Sequence, residues 1–214
     1  MKFQIIPVTP FQQNCSLVWC EASKQAAVID PGGDLERITA AADSAGVTIS
    51  QIWLTHGHID HVGGAERLAQ QLGVSITGPH EADRFWLTAL DQQSQKFGFP
   101  HMESFEADRY LSDGERLTLG EVEIEVIHTP GHTPGHVVFY HRDSETAFVG
   151  DVLFHGSIGR TDFPMSDHQA LINSITQKLW PLGNQVRFIP GHGPGATFGD
   201  ERRSNPFVAD AVLA

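Results

Sequence analysis

Thr55-His56-Gly57-His58-Ile59-Asp60-His61 places three imidazoles and one carboxylate within six consecutive residues. Neutral imidazole nitrogen and carboxylate oxygen are strong donors for Zn²⁺ or Fe²⁺. His56 and His58 are two apart, so on an extended segment both point the same way. Asp60 and His61 follow where the chain must turn, so they can approach from another side. One stretch can therefore serve two neighbouring ions. A surface loop has no physical need for this density of ligands, so the remaining donors are to be sought elsewhere in the chain.

The segment before the cluster, Ile49 to Leu54, reads as a strand that delivers it. Upstream, Ile5-Ile6, Ser16-Leu17-Val18-Trp19 and Ala26-Ala27-Val28-Ile29 read as a meander. Asp30-Pro31-Gly32-Gly33 is a turn. Asp34 is the expected N-cap of a helix that buries Leu35, Ile38, Ala42 and Ala45 and stops at Gly46. Downstream, Gly63-Gly64 lets the backbone approach a metal site. A helix then carries Ala65, Leu68, Ala69 and Leu72 to Gly73. Val74 to Thr77 reads as a strand, Glu81 to Leu90 as a helix, and residues 91–109, polar and irregular, as a long surface loop of the kind that often serves function. In the second half, Leu117 to Leu119, Val122 to Ile127, Val137 to Tyr140, Thr146 to Val149 and Val186 to Ile189 read as strands. Ser166 with Gln169 predicts a capping box for a helix carrying Leu171, Ile175 and Leu179 that ends before Pro181. Thr197 with Asp200 predicts a cap for a short tail helix within residues 197–214.

Three further strands end in a glycine and then a ligand-competent side chain. Val126-Ile127-His128-Thr129-Pro130-Gly131 leads to His132. Ala147-Phe148-Val149-Gly150 leads to Asp151. Arg187-Phe188-Ile189-Pro190-Gly191 leads to His192. With Trp53-Leu54-Thr55 leading to His56, four strand ends are expected to converge on one site, as layered α/β domains allow.

The order His56-x-His58-x-Asp60-His61, then His132, Asp151 and His192, resembles the metallo-β-lactamase superfamily across most of the chain. That resemblance implies an α/β fold, a four-layer αββα sandwich in one domain over residues 1–214, with the site at the edge of two sheets. It assigns His56, His58 and His132 to a first metal, Asp60, His61 and His192 to a second, and Asp151 to a bridge between them. Thr129-Pro130-Gly131-His132-Thr133, Gly150-Asp151, Gly159-Arg160, Pro190-Gly191-His192-Gly193 and Glu201-Arg202-Arg203-Ser204-Asn205-Pro206-Phe207 look like the glyoxalase II branch, in a short bacterial form without the appended helical domain. The expected activity is hydrolysis of hydroxyacyl thioesters, S-lactoylglutathione first among them, with Asp60 and Asp151 as catalytic carboxylates that orient a bridging hydroxide. A thiol leaves readily as thiolate, so no separate general acid is needed. Two divalent ions per chain are expected, zinc first, with iron or manganese suited to the same donors. Arg160 falls where such relatives place a cationic substrate contact, and it could equally pair with Asp162. The alternative on the same scaffold is a persulfide dioxygenase with one Fe²⁺ on His56, His132 and Asp151, or a lactonase.

Composition narrows the class. The formal net charge is −12, which argues against nucleic acid as the partner. No stretch approaches a membrane span, and the N-terminus lacks an apolar run of signal length. Cys15 and Cys20, five apart on one strand, should face opposite ways without bridging, which suits a reducing, cytoplasmic setting. His80, His101, His128, His136, His141, His155 and His168 are expected outside the ligand set, with His128 and His155 as candidates to support bound imidazoles.

Overall fold

The computed structural model describes residues 1–213. In chain order the elements are β1 (Lys2–Val8), β2 (Gln13–Trp19), β3 (Gln25–Ile29), α1 (Leu35–Ala45), β4 (Thr48–Trp53), α2 (Ile59–Val62), α3 (Ala65–Leu72), β5 (Ile76–His80), α4 (Arg84–Leu87), α5 (Leu90–Phe97), β6 (Arg109–Leu111), β7 (Arg116–Leu119), β8 (Val122–His128), β9 (Val137–His141), β10 (Thr146–Gly150), β11 (Leu153–Phe154), β12 (Ser157–Ile158), α6 (His168–Asn173), β13 (Arg187–Pro190), β14 (Ala196–Thr197), α7 (Phe198–Ser204) and α8 (Asp210–Leu213). One six-stranded sheet runs β1-β2-β3-β4-β5-β6. The other runs β14-β13-β10-β9-β8-β7, and β11-β12 is a small ribbon.

Three apolar clusters define the layers. Val18, Ala27, Ile29 and Trp53 of the first sheet meet Leu117, Val126, Phe139 and Phe148 of the second. Trp53 and Phe139 lie 5.6 Å apart between the sheets. The outer face of the first sheet is covered by α1 and α3, whose stripes bury Leu35, Ile38, Ala65 and Leu68. The outer face of the second is covered by Leu171, Ile175, Leu179 and Phe198. Each buried Val, Leu, Ile or Phe among these contributes about 1.5–3 kcal/mol by leaving water. The architecture is therefore the expected αββα sandwich. Cys15 in β2 joins the outer cluster and Cys20, one residue past β2, the inter-sheet one, so they face opposite ways, and both thiols are free.

Strand direction sets the position of the site. β3 pairs with β4 in parallel across the α1 crossover. β10 pairs with β13 in parallel. β8 and β10 both run antiparallel to β9, so they share a direction. The carboxyl ends of all five strands therefore open at one edge of the sandwich.

Several local expectations are corrected. Residues 91–109 are not one loop. Leu90–Phe97 is helical, because polar Asp91 to Lys96 are helix-compatible while Leu90, Gln93 and Ser94 are buried, and Gly98 caps the end in the left-handed region. Conversely, the helix expected from Glu81 to Leu90 breaks into a 3₁₀ turn at Glu81–Asp83 and the short α4. Asp34 makes no side-chain cap and instead accepts from the Thr9 amide. The N-cap of α6 is Asp167, which accepts from the Ala170 amide. Ser166 instead donates to the His132 carbonyl. After α6 the chain winds on through a π-helical turn, Ser174–Leu179, and a 3₁₀ turn that includes Pro181. Thr197 and Asp200 do form a capping box, but the tail makes two short helices rather than one. Among the described residues no helix is long and apolar enough to cross a membrane.

Candidate metal centre

His56, His58, Asp60 and His61 leave the end of β4. His132 follows β8, Asp151 follows β10 and His192 follows β13. The fold brings all seven together. His58 Nδ1 lies 3.1 Å from His56 Nε2 and 3.0 Å from His132 Nε2. Asp151 Oδ2 is 3.6 Å from His132 Nε2 and 3.8 Å from His192 Nε2. Asp60 Oδ2 lies 3.1 Å from His192 Nε2 and 3.7 Å from His61 Nε2. Asp151 Oδ1 is 3.4 Å from His61 Nε2. Two trios, His56–His58–His132 and Asp60–His61–His192, thus flank one carboxylate.

The far nitrogen of most of these rings meets a fixed partner, which sets the tautomer. His132 Nδ1–H donates to the Arg160 carbonyl and His192 Nδ1–H to the Phe11 carbonyl. His61 Nδ1–H donates to Asp30 Oδ2 at 2.9 Å. Thr55 Oγ1 spends its proton on Asp30, so it accepts from His56 Nδ1–H. In the neutral ring, each Nε2 of these four histidines has its lone pair directed inward. Bare lone pairs about 3 Å apart repel, and a cation relieves that repulsion. Tetrahedral ligands at the usual zinc–nitrogen distance stand about 3.3 Å from one another, close to the separations here. His61 Nε2 and Asp151 Oδ1 are buried with no hydrogen-bond partner. These donors fit two metal ions.

Protonation agrees for the first trio. Burial, then the neighbouring imidazoles, hold His56 and His58 well below the ordinary histidine value, and burial lowers His132. All three are neutral near pH 7, as ligands must be. The second trio differs. Burial opposes charge on His61 and His192, but Asp151 and Asp60 around His61, and the Asp60 bond to His192, hold both imidazoles above their ordinary value. The Asp151 carboxyl, though buried, is pulled far below the carboxylate range, first by His61.

Three supporting groups escape a reading of the sequence. Asp30, at the end of β3, accepts from the Thr55 amide and hydroxyl and from His61. In the sequence it follows an apolar strand and opens Pro-Gly-Gly, which marks a turn and not a partner for His61. Asp83 is buried and accepts from the Gly57 amide, the Thr133 hydroxyl and the Gly135 amide, so it ties the His56–His58 loop to the loop after His132. Gln93 grips the same loop at Gly57 O and Ile59 N. His136, outside the ligand set as expected, stacks on His56 at 4.7 Å, and its Nε2 accepts from the Asp151 amide. His128 and His155 do not support ligands. His128 bonds the Pro134 carbonyl and His155 bonds Glu201. Two glycines are required. A Cβ on Gly191 would sit 2.0 Å from Asp151 Oδ1, and one on Gly57 would sit 2.4 Å from the Trp86 Cβ.

The centre opens into a cavity of about 370 Å³ walled by Phe11, Phe97, Phe154, Phe163 and Ile59, with Arg160 on its wall. Arg160 pairs with Asp162 at 2.7 Å, the second of the two readings of that residue. A larger cavity of about 540 Å³ lies behind Gly63-Gly64 and holds none of the seven ligands.

The description Metallo-beta-lactamase superfamily matches residues 8–192. The chain belongs to the metallo-beta-lactamase superfamily. It is 49% identical to hydroxyacylglutathione hydrolase GloC of Haemophilus influenzae, over 97% of this chain and 98% of that protein. Among solved structures it is similar to BLEG-1 B3 metallo-beta-lactamase, at 37% identity and a TM-score of 0.89, covering 97% of this chain and 99% of that one. It is also similar to TTHA1623 in a di-iron-bound form, at 36% identity and a TM-score of 0.87, covering 96% and 100%. Its donor cluster marks the chain as metal-binding, and its nearly full-length identity to GloC marks it as a hydrolase.

Proposed function

We propose that this chain is a hydroxyacyl-thioester hydrolase that cleaves S-lactoylglutathione and similar thioesters. The observation that carries the reading is the inward lone pairs of the tautomer-locked histidines around Asp151. The 49% identity over nearly the whole length of hydroxyacylglutathione hydrolase GloC supports the substrate class. His56, His58 and His132 would hold one ion, Asp60, His61 and His192 a second, and Asp151 both. Bound divalent ions supply Lewis acidity, which acidifies a water toward neutral pH and polarises a carbonyl. Zinc suits the nitrogen-rich first trio, and iron, as in the di-iron relative, suits both.

The side chains contribute the rest. Asp60 and Asp151 orient the attacking water by accepting its hydrogen. The phenylalanine walls exclude bulk water and hold the thiol half. Arg160, on the same wall, would offer that half a cation. The leaving thiol, with a pKa of about 8.5, departs as thiolate, so no side-chain acid is required. The free thiols Cys15 and Cys20 fit work in the reducing cytoplasm.

The test is thiol release from S-lactoylglutathione by purified, zinc- or iron-loaded protein, followed with a thiol-reactive dye. Steady release that disappears on chelation is expected. No release from any small acyl thioester would refute the reading. The retained second trio ranks this above dioxygenation at a single iron, and oxygen uptake with a persulfide substrate would reverse that order.

A further inference from the structure

Arg160 is the one Arg or Lys among the residues lining the cavity of the metal centre. Its position is tied to that centre, because its backbone carbonyl accepts the Nδ1–H of His132. Its guanidinium lies over the Phe163 ring, 4.7 Å from the centroid. Phe163 in turn lies 4.6 Å from the His58 ring. A cation is thus held one aromatic ring away from a proposed metal ligand. Yet one edge of its fork is taken. Nε donates to Asp162 Oδ1 at 3.0 Å and Nη2 to Oδ2 at 2.7 Å. Both side chains are about two-thirds exposed, and an exposed pair of this kind contributes little to stability. The pair therefore matters for what the cavity attracts more than for what holds the fold together. Apart from the candidate metal donors and Gln93, the remaining wall is apolar, and the protein as a whole carries a formal charge of −12. Asp162 thus decides whether this cavity presents a net cation at its wall.

We propose that Asp162 is a specificity-determining residue that lowers the preference of the site for thioesters whose thiol half carries a carboxylate, and so admits thioesters of neutral thiols. The inference rests on the thioester-hydrolase reading. A glutathionyl group, with two carboxylates and one ammonium, is left only the Nη1–Nη2 edge of Arg160. Its carboxylate must also sit a guanidinium's width from that of Asp162. A neutral thiol half feels neither effect and gains its contacts from Phe11, Phe97 and Phe154. No covalent step changes, since Asp162 acts on binding of the thiol half alone.

The test compares wild type with Asp162→Asn, which keeps the shape and one acceptor oxygen while removing the charge. Metal-loaded enzymes are assayed with S-lactoylglutathione and with the lactoyl thioester of N-acetylcysteamine, which is uncharged. The readout is the ratio of the two kcat/KM values. The ratio should move toward S-lactoylglutathione by about fivefold, through KM, and the gain should shrink at high ionic strength, as expected for one partly screened charge. In an Arg160→Gln background the same substitution should move the ratio far less. An unchanged ratio in an active enzyme overturns the inference and leaves the thioester reading intact. So does a shift that persists without Arg160. Thiol release from neither substrate by wild type overturns both.

Discussion

Asp30→Asn isolates the link between the fold and the second metal position. The Asp30 carboxylate is buried and takes three hydrogen bonds, from the Thr55 amide at 2.7 Å, the Thr55 hydroxyl at 2.6 Å and His61 Nδ1 at 2.9 Å. An amide of the same shape has one oxygen for two acceptor positions. If that oxygen stays toward His61, the new NH₂ faces the Thr55 amide and a buried donor is stranded, at a cost of about 1–3 kcal/mol. If the amide turns over, NH₂ faces His61 Nδ1, and His61 must take the other tautomer. Its Nε2 then carries a proton into the cluster where a lone pair is needed. Either way the charge-assisted bond to His61 is lost or weakened. Together these losses destabilise the fold by about 2–4 kcal/mol and weaken metal binding at the second position by about 10- to 100-fold, as for other partners of ligating histidines. The first position should change less, because His56 is reached only through the Thr55 hydroxyl. Competition with a metal-sensitive chelator, paired with urea unfolding, measures both. Two ions retained at wild-type affinity in Asp30→Asn would refute the idea that Asp30 sets the His61 tautomer.

Asp151→Ala should lose both ions, or nearly all activity, whereas His141→Ala should do little, since His141 bonds only Ser144 far from the centre; metal content and turnover decide. Burial pushes the Asp83 carboxyl up to about 6 against its three donors. The folded protein therefore binds this proton more tightly than the unfolded chain, and the linked stability is full below the unfolded value near ~4 and is lost as pH rises through about 6. Urea midpoints of wild type and Asp83→Asn across that window should converge or cross with rising pH, by about 2–3 kcal/mol, and a constant gap would refute the assignment. Chelation should lower the melting temperature by about 5–10 °C at metal levels that saturate the sites. Since His61 and His192 hold protons above their ordinary value, reloading of the second position should fail first as pH falls, read by isothermal titration.

The seven candidate donors that the fold brings together were legible because their chemistry is dense and their placement repeats. A histidine or aspartate at the end of a strand, three times after a glycine, has few reasons to exist four times in one chain. The supporting residues were not legible, for a reason that is itself physical. Asp30 opens Pro31-Gly32-Gly33, where an aspartate already has a local role in a turn, so its part in binding His61, 31 positions away, leaves no separate mark. Asp83 and Gln93 sit in a helical stretch whose polar residues look solvent-facing, and only the tertiary fold turns them inward to Gly57. The same cause misplaced residues 91–109: without an apolar stripe, Leu90–Phe97 reads as loop, yet two of its polar side chains, Gln93 and Ser94, are the buried face. Ligand identity is written in residue type, whereas ligand orientation is written in long-range contacts, and the tautomers that make four imidazoles into inward donors belong to the second kind. A variant that spares all seven ligands but removes Asp30 or Asp83 would therefore keep the family pattern in its sequence while losing the geometry the pattern stands for.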